Sequence, residues 1–287
     1  MIDNNKGFNL RITLNDFELS YDDIGEGMVP IIFLHGYPFD KNMWQGQLDF
    51  LKESFRLIAC DIRGFGQSKD EVSPLSIDKF ANDLLLFMDK LSIEKAIICG
   101  LSMGGFIALN AIKRFPDRFV SLVLCDTQCI ADSSEVKAKR YQIIKEIDID
   151  GAEKFNEGFI KSVFCKDSFE NKTELVDQLR NVVFANSEHI IKQGLVALAE
   201  RFETCSSLNE ISIPTLIICG REDEVTPLAQ SEMMNASIDL AKLRVIENAG
   251  HVSNLEQPEI FNKHLLNFLK TLTCLNFDKV NGDKRMA

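Results

Sequence analysis

Ala96-Ile97-Ile98-Cys99-Gly100-Leu101-Ser102-Met103-Gly104-Gly105 is the stretch on which the reading of this chain turns. Its opening apolar run has no alternation, as expected of a strand buried on both faces. Met103 to Phe115 has helical character and stops at Pro116. Between strand and helix lies the pattern Gly-x-Ser-x-Gly. A strand that turns directly into a helix strains the serine backbone and leaves no space for neighbouring side chains, so glycine is needed on both sides. Such a turn lifts Ser102 out at the carboxyl edge of a sheet as a nucleophile.

The same grammar extends in both directions. Short apolar runs recur at Ile31 to Leu34, Leu57 to Cys60, Val120 to Cys125, Thr215 to Cys219 and Leu243 to Ile246. Helical stretches separate them: Ser76 to Leu91, with Ser76 as N-cap, and Pro258 to Leu272, with Phe261, Leu265, Phe268 and Leu269 facing inward. Phe8 to Tyr21, with its turn at Asn15-Asp16, predicts an antiparallel hairpin at the entrance. The fold class is therefore α/β, a mostly parallel doubly wound sheet entered through a hairpin. The rhythm breaks over residues 128–208, a stretch too long for an ordinary loop. It predicts a helical cap inserted into a core of residues 1–127 and 209–275, with an amphipathic stretch around Val176 to Leu198 and a polar tail at 276–287.

A serine hydroxyl is a weak nucleophile at neutral pH and needs a base, which in turn needs a group to hold its tautomer. Of four histidines, the chain order Ser, acid, His removes His35 and His189. His264 sits inside the last helix beside Leu265. His251 follows an apolar strand in a loop of small residues, where its ring can swing over the neighbouring strand, and is the expected base. Asp223 and Asp126 both stand just beyond apolar strands, where catalytic groups of such sheets belong. Asp223 is preferred because its strand directly precedes the one delivering His251, and Asp126 is the alternative. The backbone N–H groups of Met103, just after the nucleophile, and Tyr37, in His35-Gly36-Tyr37-Pro38, are the expected oxyanion donors. Pro38 has no N–H to offer, and His35 is expected to hydrogen-bond within its own loop.

Composition excludes several other classes. The chain has 287 residues, and 43 acidic against 32 basic side chains leave a formal net charge of −11, which disfavours nucleic acid and anionic membrane surfaces. No stretch approaches the roughly 18 apolar residues of a membrane span, and the start lacks an apolar signal segment. The eight cysteines are scattered singly and not set as a disulfide framework, which points to a reducing, cytoplasmic compartment. Cys125 and Cys129 lack a matching second pair, so no metal is expected. Gly64-Phe65-Gly66 lacks the third glycine of a dinucleotide loop, and no cofactor is expected.

Together Tyr21-Asp22-Asp23-Ile24-Gly25, His35-Gly36-Tyr37-Pro38, Asp61-Ile62-Arg63-Gly64-Phe65-Gly66-Gln67-Ser68, Gly100 to Gly105, Leu122 to Thr127, Gly220 to Pro227 and Ala249-Gly250-His251 resemble the α/β-hydrolase fold superfamily. The branch is that of 3-oxoadipate enol-lactonases, carboxylesterases and cofactor-free haloperoxidases. The resemblance implies a serine hydrolase for a small ester or lactone, with the variable cap choosing the substrate. It implies that the Asp61 loop shapes the sheet edge. Ser102 argues against epoxide hydrolases and haloalkane dehalogenases, which carry an aspartate there. It leaves open carbon–carbon hydrolases and lyases, acyltransferases or perhydrolases, and ligand-binding receptors that retain a triad. Six phenylalanines in the cap (Phe155, Phe159, Phe164, Phe169, Phe184 and Phe202) could line an apolar acyl pocket or serve as core.

Overall fold

The computed structural model describes residues 6–282 apart from Glu71, with side chains described as far as residue 272. Strands β1 (Gly7–Leu14) and β2 (Phe17–Ile24) form the hairpin, turning at Asn15-Asp16. β3 (Ile31–Leu34), β4 (Leu57–Cys60), β5 (Ala96–Leu101), β6 (Phe119–Cys125), β7 (Thr215–Gly220) and β8 (Ala241–Ile246) complete the sheet, in the order β1-β2-β4-β3-β5-β6-β7-β8. The β1/β2 and β2/β4 pairs are antiparallel and the other pairs parallel.

Helix α1 (Gln45–Leu51) links β3 to β4, α2 (Ile77–Lys90) links β4 to β5, and α3 (Met103–Arg114) links β5 to β6. Five helices lie between β6 and β7: α4 (Ser134–Asp150), α5 (Glu153–Val163), α6 (Ser168–Asn171), α7 (Thr173–Phe184) and α8 (Glu188–Ala199). Then α9 (Leu228–Ser237) links β7 to β8, and α10 (Ser253–Glu256) and α11 (Pro258–Gly282) close the chain.

The unbroken apolar runs have a direct physical cause. Ile32, Leu34 and Ile98 pack on α2 and α3, while their neighbours Ile31, Phe33, Ile97 and Cys99 pack on α1 and α11. Both faces of these central strands are therefore dry and apolar. By contrast, β8 at the sheet edge alternates, with Lys242 and Arg244 exposed, contrary to the expectation of a strand buried on both faces. Phe261, Leu265, Phe268 and Leu269 of α11 are all buried, each contributing roughly 1.5–3 kcal/mol. Ser76 caps α2 by accepting the Lys79 N–H at 3.1 Å. Strand order reverses between β3 and β5, and ligands of open α/β sheets bind at such a switch point. Ser102 stands there, at the end of β5.

The amphipathic stretch from Val176 to Leu198 is shared between α7 and α8, and Ser187 caps the start of α8 by accepting the Ile190 N–H at 3.2 Å. Two further expectations change. Helix α11 carries part of the expected tail through Gly282, and residues 283–287 lie outside the described region. Among the cysteines, Cys129 and Cys205 form a disulfide across 76 positions, stapling the two ends of the insertion. That pair removes the cysteine argument for a reducing compartment. Cys60, Cys125 and Cys219, at or beside strand ends, and Cys99, within β5, are buried free thiols that serve as small core residues. No helix among the described residues is long and apolar enough to cross a membrane.

Candidate active site

Ser102 has φ 53 and ψ −112, a left-handed backbone that is strained for any residue with a side chain. It is held there from both sides. Its N–H donates to the Cys125 carbonyl at 2.9 Å, and its own carbonyl accepts the Thr127 hydroxyl at 2.8 Å. A Cβ on Gly104 would overlap the Leu34 carbonyl oxygen of β3, and one on Gly100 would overlap the Gly104 carbonyl. Backbone cannot yield there, which is why the turn needs glycine before and after the serine.

His251 lies in the loop after β8 and is 1% exposed. Its Nε2 is 2.8 Å from Ser102 Oγ and its Nδ1 is 2.9 Å from Asp223 Oδ2. Asp223 is also held at its other oxygen: Oδ1 accepts the N–H groups of Val225 and Thr226, each at 2.9 Å. The Thr226 hydroxyl donates to Oδ2 at 2.7 Å. Burial pushes the Asp223 carboxyl up, but the His251 charge and the His251 and Thr226 hydrogen bonds outweigh it and hold it below the usual value. Burial likewise works against the His251 imidazolium, yet Asp223, with Asp126 and Glu256, holds this ring above the ordinary histidine value.

Asp126, the other acid considered from sequence, points elsewhere. Its Oδ1 accepts the Gly220 N–H at 2.8 Å and its Oδ2 accepts the Ser253 hydroxyl at 2.6 Å. Burial, then the Asp223 charge, push its carboxyl up to about 8. Asp126, Cys219 and Asp223 bring three metal-capable atoms within 4.8 Å of one another. The Asp223 oxygens already accept four hydrogen bonds there, and burial pushes the Cys219 thiol up. The donor set suits a hydrogen-bonded cluster better than an ion.

The loop after β3 packs against the serine turn, with a cis peptide between Tyr37 and Pro38. A Cβ on Gly36 would stand 3.3 Å from Ser102 Cβ and 3.0 Å from Leu101 Cδ2, a tight fit that glycine relieves as the loop comes this near. His35 Nε2 accepts the Ile62 N–H at 2.9 Å, which places the ring proton on Nδ1, where it donates to the Gly36 carbonyl at 2.8 Å. Asp61 accepts the N–H groups of Lys41 and Gln67 at 2.8 and 2.9 Å. His35 and the Asp61 loop thus brace the β3 and β4 ends against each other. Tyr37 is buried, its hydroxyl donating to the Ile191 carbonyl of α8 at 2.9 Å and its ring edge-on to Phe65 and Phe159. Met103 is the first residue of α3, so its N–H has no acceptor within the helix. His264 is half-buried on α11, away from this arrangement.

A family described as alpha/beta hydrolase fold matches residues 29–258. The chain belongs to the α/β-hydrolase fold family. This α/β hydrolase is 31% identical over 252 residues to a 3-oxoadipate enol-lactonase of Acinetobacter baylyi, covering 88% of this chain and 92% of that one. It superposes with a TM-score of 0.87 on a thermophilic esterase from Thermogutta terrifontis, at 30% identity, covering 92% and 99% of the two chains. The enol-lactonase of Burkholderia xenovorans gives a TM-score of 0.84 at 27% identity, covering 91% and 100%. The resemblance read from the motifs is to the same branch.

Sequence reasoning missed Thr226, Thr127 and Glu256. Thr226 carried a usable signal: an aspartate followed three positions later by threonine is a common side-chain-to-backbone turn. Thr127 and Glu256 act across the fold and had no local signal.

Proposed function

We propose that this α/β hydrolase is a serine hydrolase that cleaves a small carboxylic ester or lactone through an acyl-enzyme. The observation that carries the reading is the unbroken chain Ser102 Oγ, His251 Nε2, His251 Nδ1, Asp223 Oδ2, with links of 2.8 and 2.9 Å, at the head of α3. Ser102 attacks the carbonyl while His251 takes its proton. The imidazolium is stabilised by Asp223, and the oxyanion by the N–H groups of Tyr37 and Met103. Each such donor is worth about 2.7–4 kcal/mol in comparable sites. His251 returns the proton to the leaving alcohol, then activates water to release the acid. For a lactone, the leaving alcohol stays attached to the acyl chain, so the product is a single hydroxy acid. The lactonase and esterase relatives support this bond class.

Residues 128–208 are proposed as a cap over the 1–127 and 209–275 core. A cavity of about 360 Å³ between α4 and α5 is lined by Ile143, Ile147, Phe155 and Phe159 among others. Phe159 also touches Tyr37 and Phe39, so one wall of this cavity packs on the loop after β3. The other cap phenylalanines are not in its lining: Phe164 and Phe169 pack on each other, and Phe184 and Phe202 are exposed.

The test is Ser102→Ala against p-nitrophenyl acetate and a fluorophosphonate probe. Turnover and labelling are expected to vanish. Retention of either near the wild-type level refutes the assignment, and turnover only with an added alcohol or peroxide acceptor would redirect it to acyl transfer.

A further inference from the structure

We propose that Glu256 is a positioning residue that fixes the catalytic base to the helical insertion, so that the insertion and the triad move as one unit. The proposal rests on His251 being the base.

The His251 loop leaves β8 at Ile246, and the two amides that set the imidazole's position find their acceptors outside the sheet. The His251 N–H donates to the Val163 carbonyl at the end of α5, at 2.8 Å. The Gly250 N–H donates to Glu256 Oε2 at 2.6 Å. The other oxygen of the same carboxylate faces the insertion: Oε1 accepts the Cys165 N–H at 2.9 Å and the Ser168 hydroxyl at 2.7 Å. The Glu256 backbone carbonyl accepts Lys172 Nζ just ahead of α7. Glu256 is 2% exposed, so its charge is stabilised by these donors and not by water.

One carboxylate thus joins the loop that carries the base to the segment between α5 and α6. Only a two-oxygen acceptor satisfies all three donors. A carboxamide must turn its NH₂ toward either the Gly250 or the Cys165 N–H, and donor then faces donor. The packing leaves no slack, since a Cβ on Gly250 would lie 2.8 Å from Cys165 N and 2.9 Å from the Phe164 carbonyl carbon. A displacement of α5 or α6 is therefore passed to His251 through two hydrogen bonds, those to Val163 and Glu256.

The experiment compares Glu256→Gln, Ser168→Ala and Ser102→Ala in the full-length protein. For Glu256→Gln the expected result is a kcat loss of about 10²-fold, the scale of a 1 Å misplacement, with KM within about two-fold. The groups facing His251 are Asp223 after β7, Asp126 after β6, Glu256 on α10 and the Ser102 hydroxyl at α3. Losing one negative charge and loosening the Asp223 contact both favour neutral imidazole, so the acid limb of kcat/KM moves to lower pH. The downfield imidazole N–H proton resonance broadens or shifts with it. Ser168→Ala removes one insertion-side donor and shows the same displacements on a smaller scale. It decides the matter if Glu256→Gln does not fold. A folded variant with a lowered melting temperature but wild-type kcat, pH limb and imidazole resonance overturns the proposal and leaves Glu256 as packing. Turnover surviving in Ser102→Ala would instead overturn the underlying functional reading.

Discussion

Replacing Asp223 by Asn separates the two candidate acids and exposes the logic of the site. The Oδ1 position accepts two backbone N–H groups, from Val225 and Thr226, so the surviving carbonyl oxygen of Asn must occupy it. The NH₂ group is then forced into the Oδ2 position, facing His251 Nδ1 and the Thr226 hydroxyl. A donor there demands a bare Nδ1, which puts the ring proton on Nε2, toward Ser102 Oγ. The base has no lone pair for the serine proton. In comparable triads this tautomer error costs about 10⁴-fold in kcat, about 5 kcal/mol. Asp126→Asn is the matched control. Its Oδ1 can keep the Gly220 N–H, and its NH₂ can donate to the Ser253 hydroxyl, which accepts as well as it donates. A loss of less than about ten-fold follows. Initial rates on p-nitrophenyl acetate, with melting curves to show that both variants fold, provide the assay. An Asp223→Asn enzyme within ten-fold of wild type, or an Asp126→Asn enzyme that collapses instead, refutes the assignment of the orienting acid.

Two further outcomes follow from the charges and the staple. A His251 base must be neutral to accept the proton, and Asp223 holds its pKa above the ordinary histidine value, so kcat/KM is expected to fall as pH drops through a limb on the high side of that value. A limb centred below pH 6 in a rate–pH profile contradicts this. The Cys129–Cys205 bond closes a loop of 76 positions, and its loss through Cys129→Ser or reduction is expected to cost about 2–4 kcal/mol. Identical melting curves for oxidised, reduced and variant protein would show that the bond contributes nothing.

Much of the site was legible because its constraints are local. Gly100, Ser102 and Gly104 are spaced by the steric needs of one turn. His251 was found by chain order and by the small residues before it. The choice between Asp223 and Asp126 was harder, for a physical reason: β6 and β7 are neighbours, so both carboxylates emerge on the same edge. Both residues were predicted to stand there. Loop geometry alone turns one toward the imidazole and the other toward Gly220 and Ser253.

The sequence by itself determined the layered α/β plan, since central strands dry on both faces are apolar and the turn around Ser102 needs glycine on both sides. It also determined where Ser102 and His251, the proposed nucleophile and base, emerge, because strand ends set that edge. Only the tertiary structure decided which groups meet across long separations. Cys129 finds Cys205, Thr127 steadies the strained Ser102, Tyr37 reaches the Ile191 carbonyl, and Glu256 binds the His251 loop to the insertion. None of these partners is within hydrogen-bonding reach through local chain geometry alone. Their pairing is set by how the insertion docks on the sheet, and no periodicity or spacing in the chain encodes it.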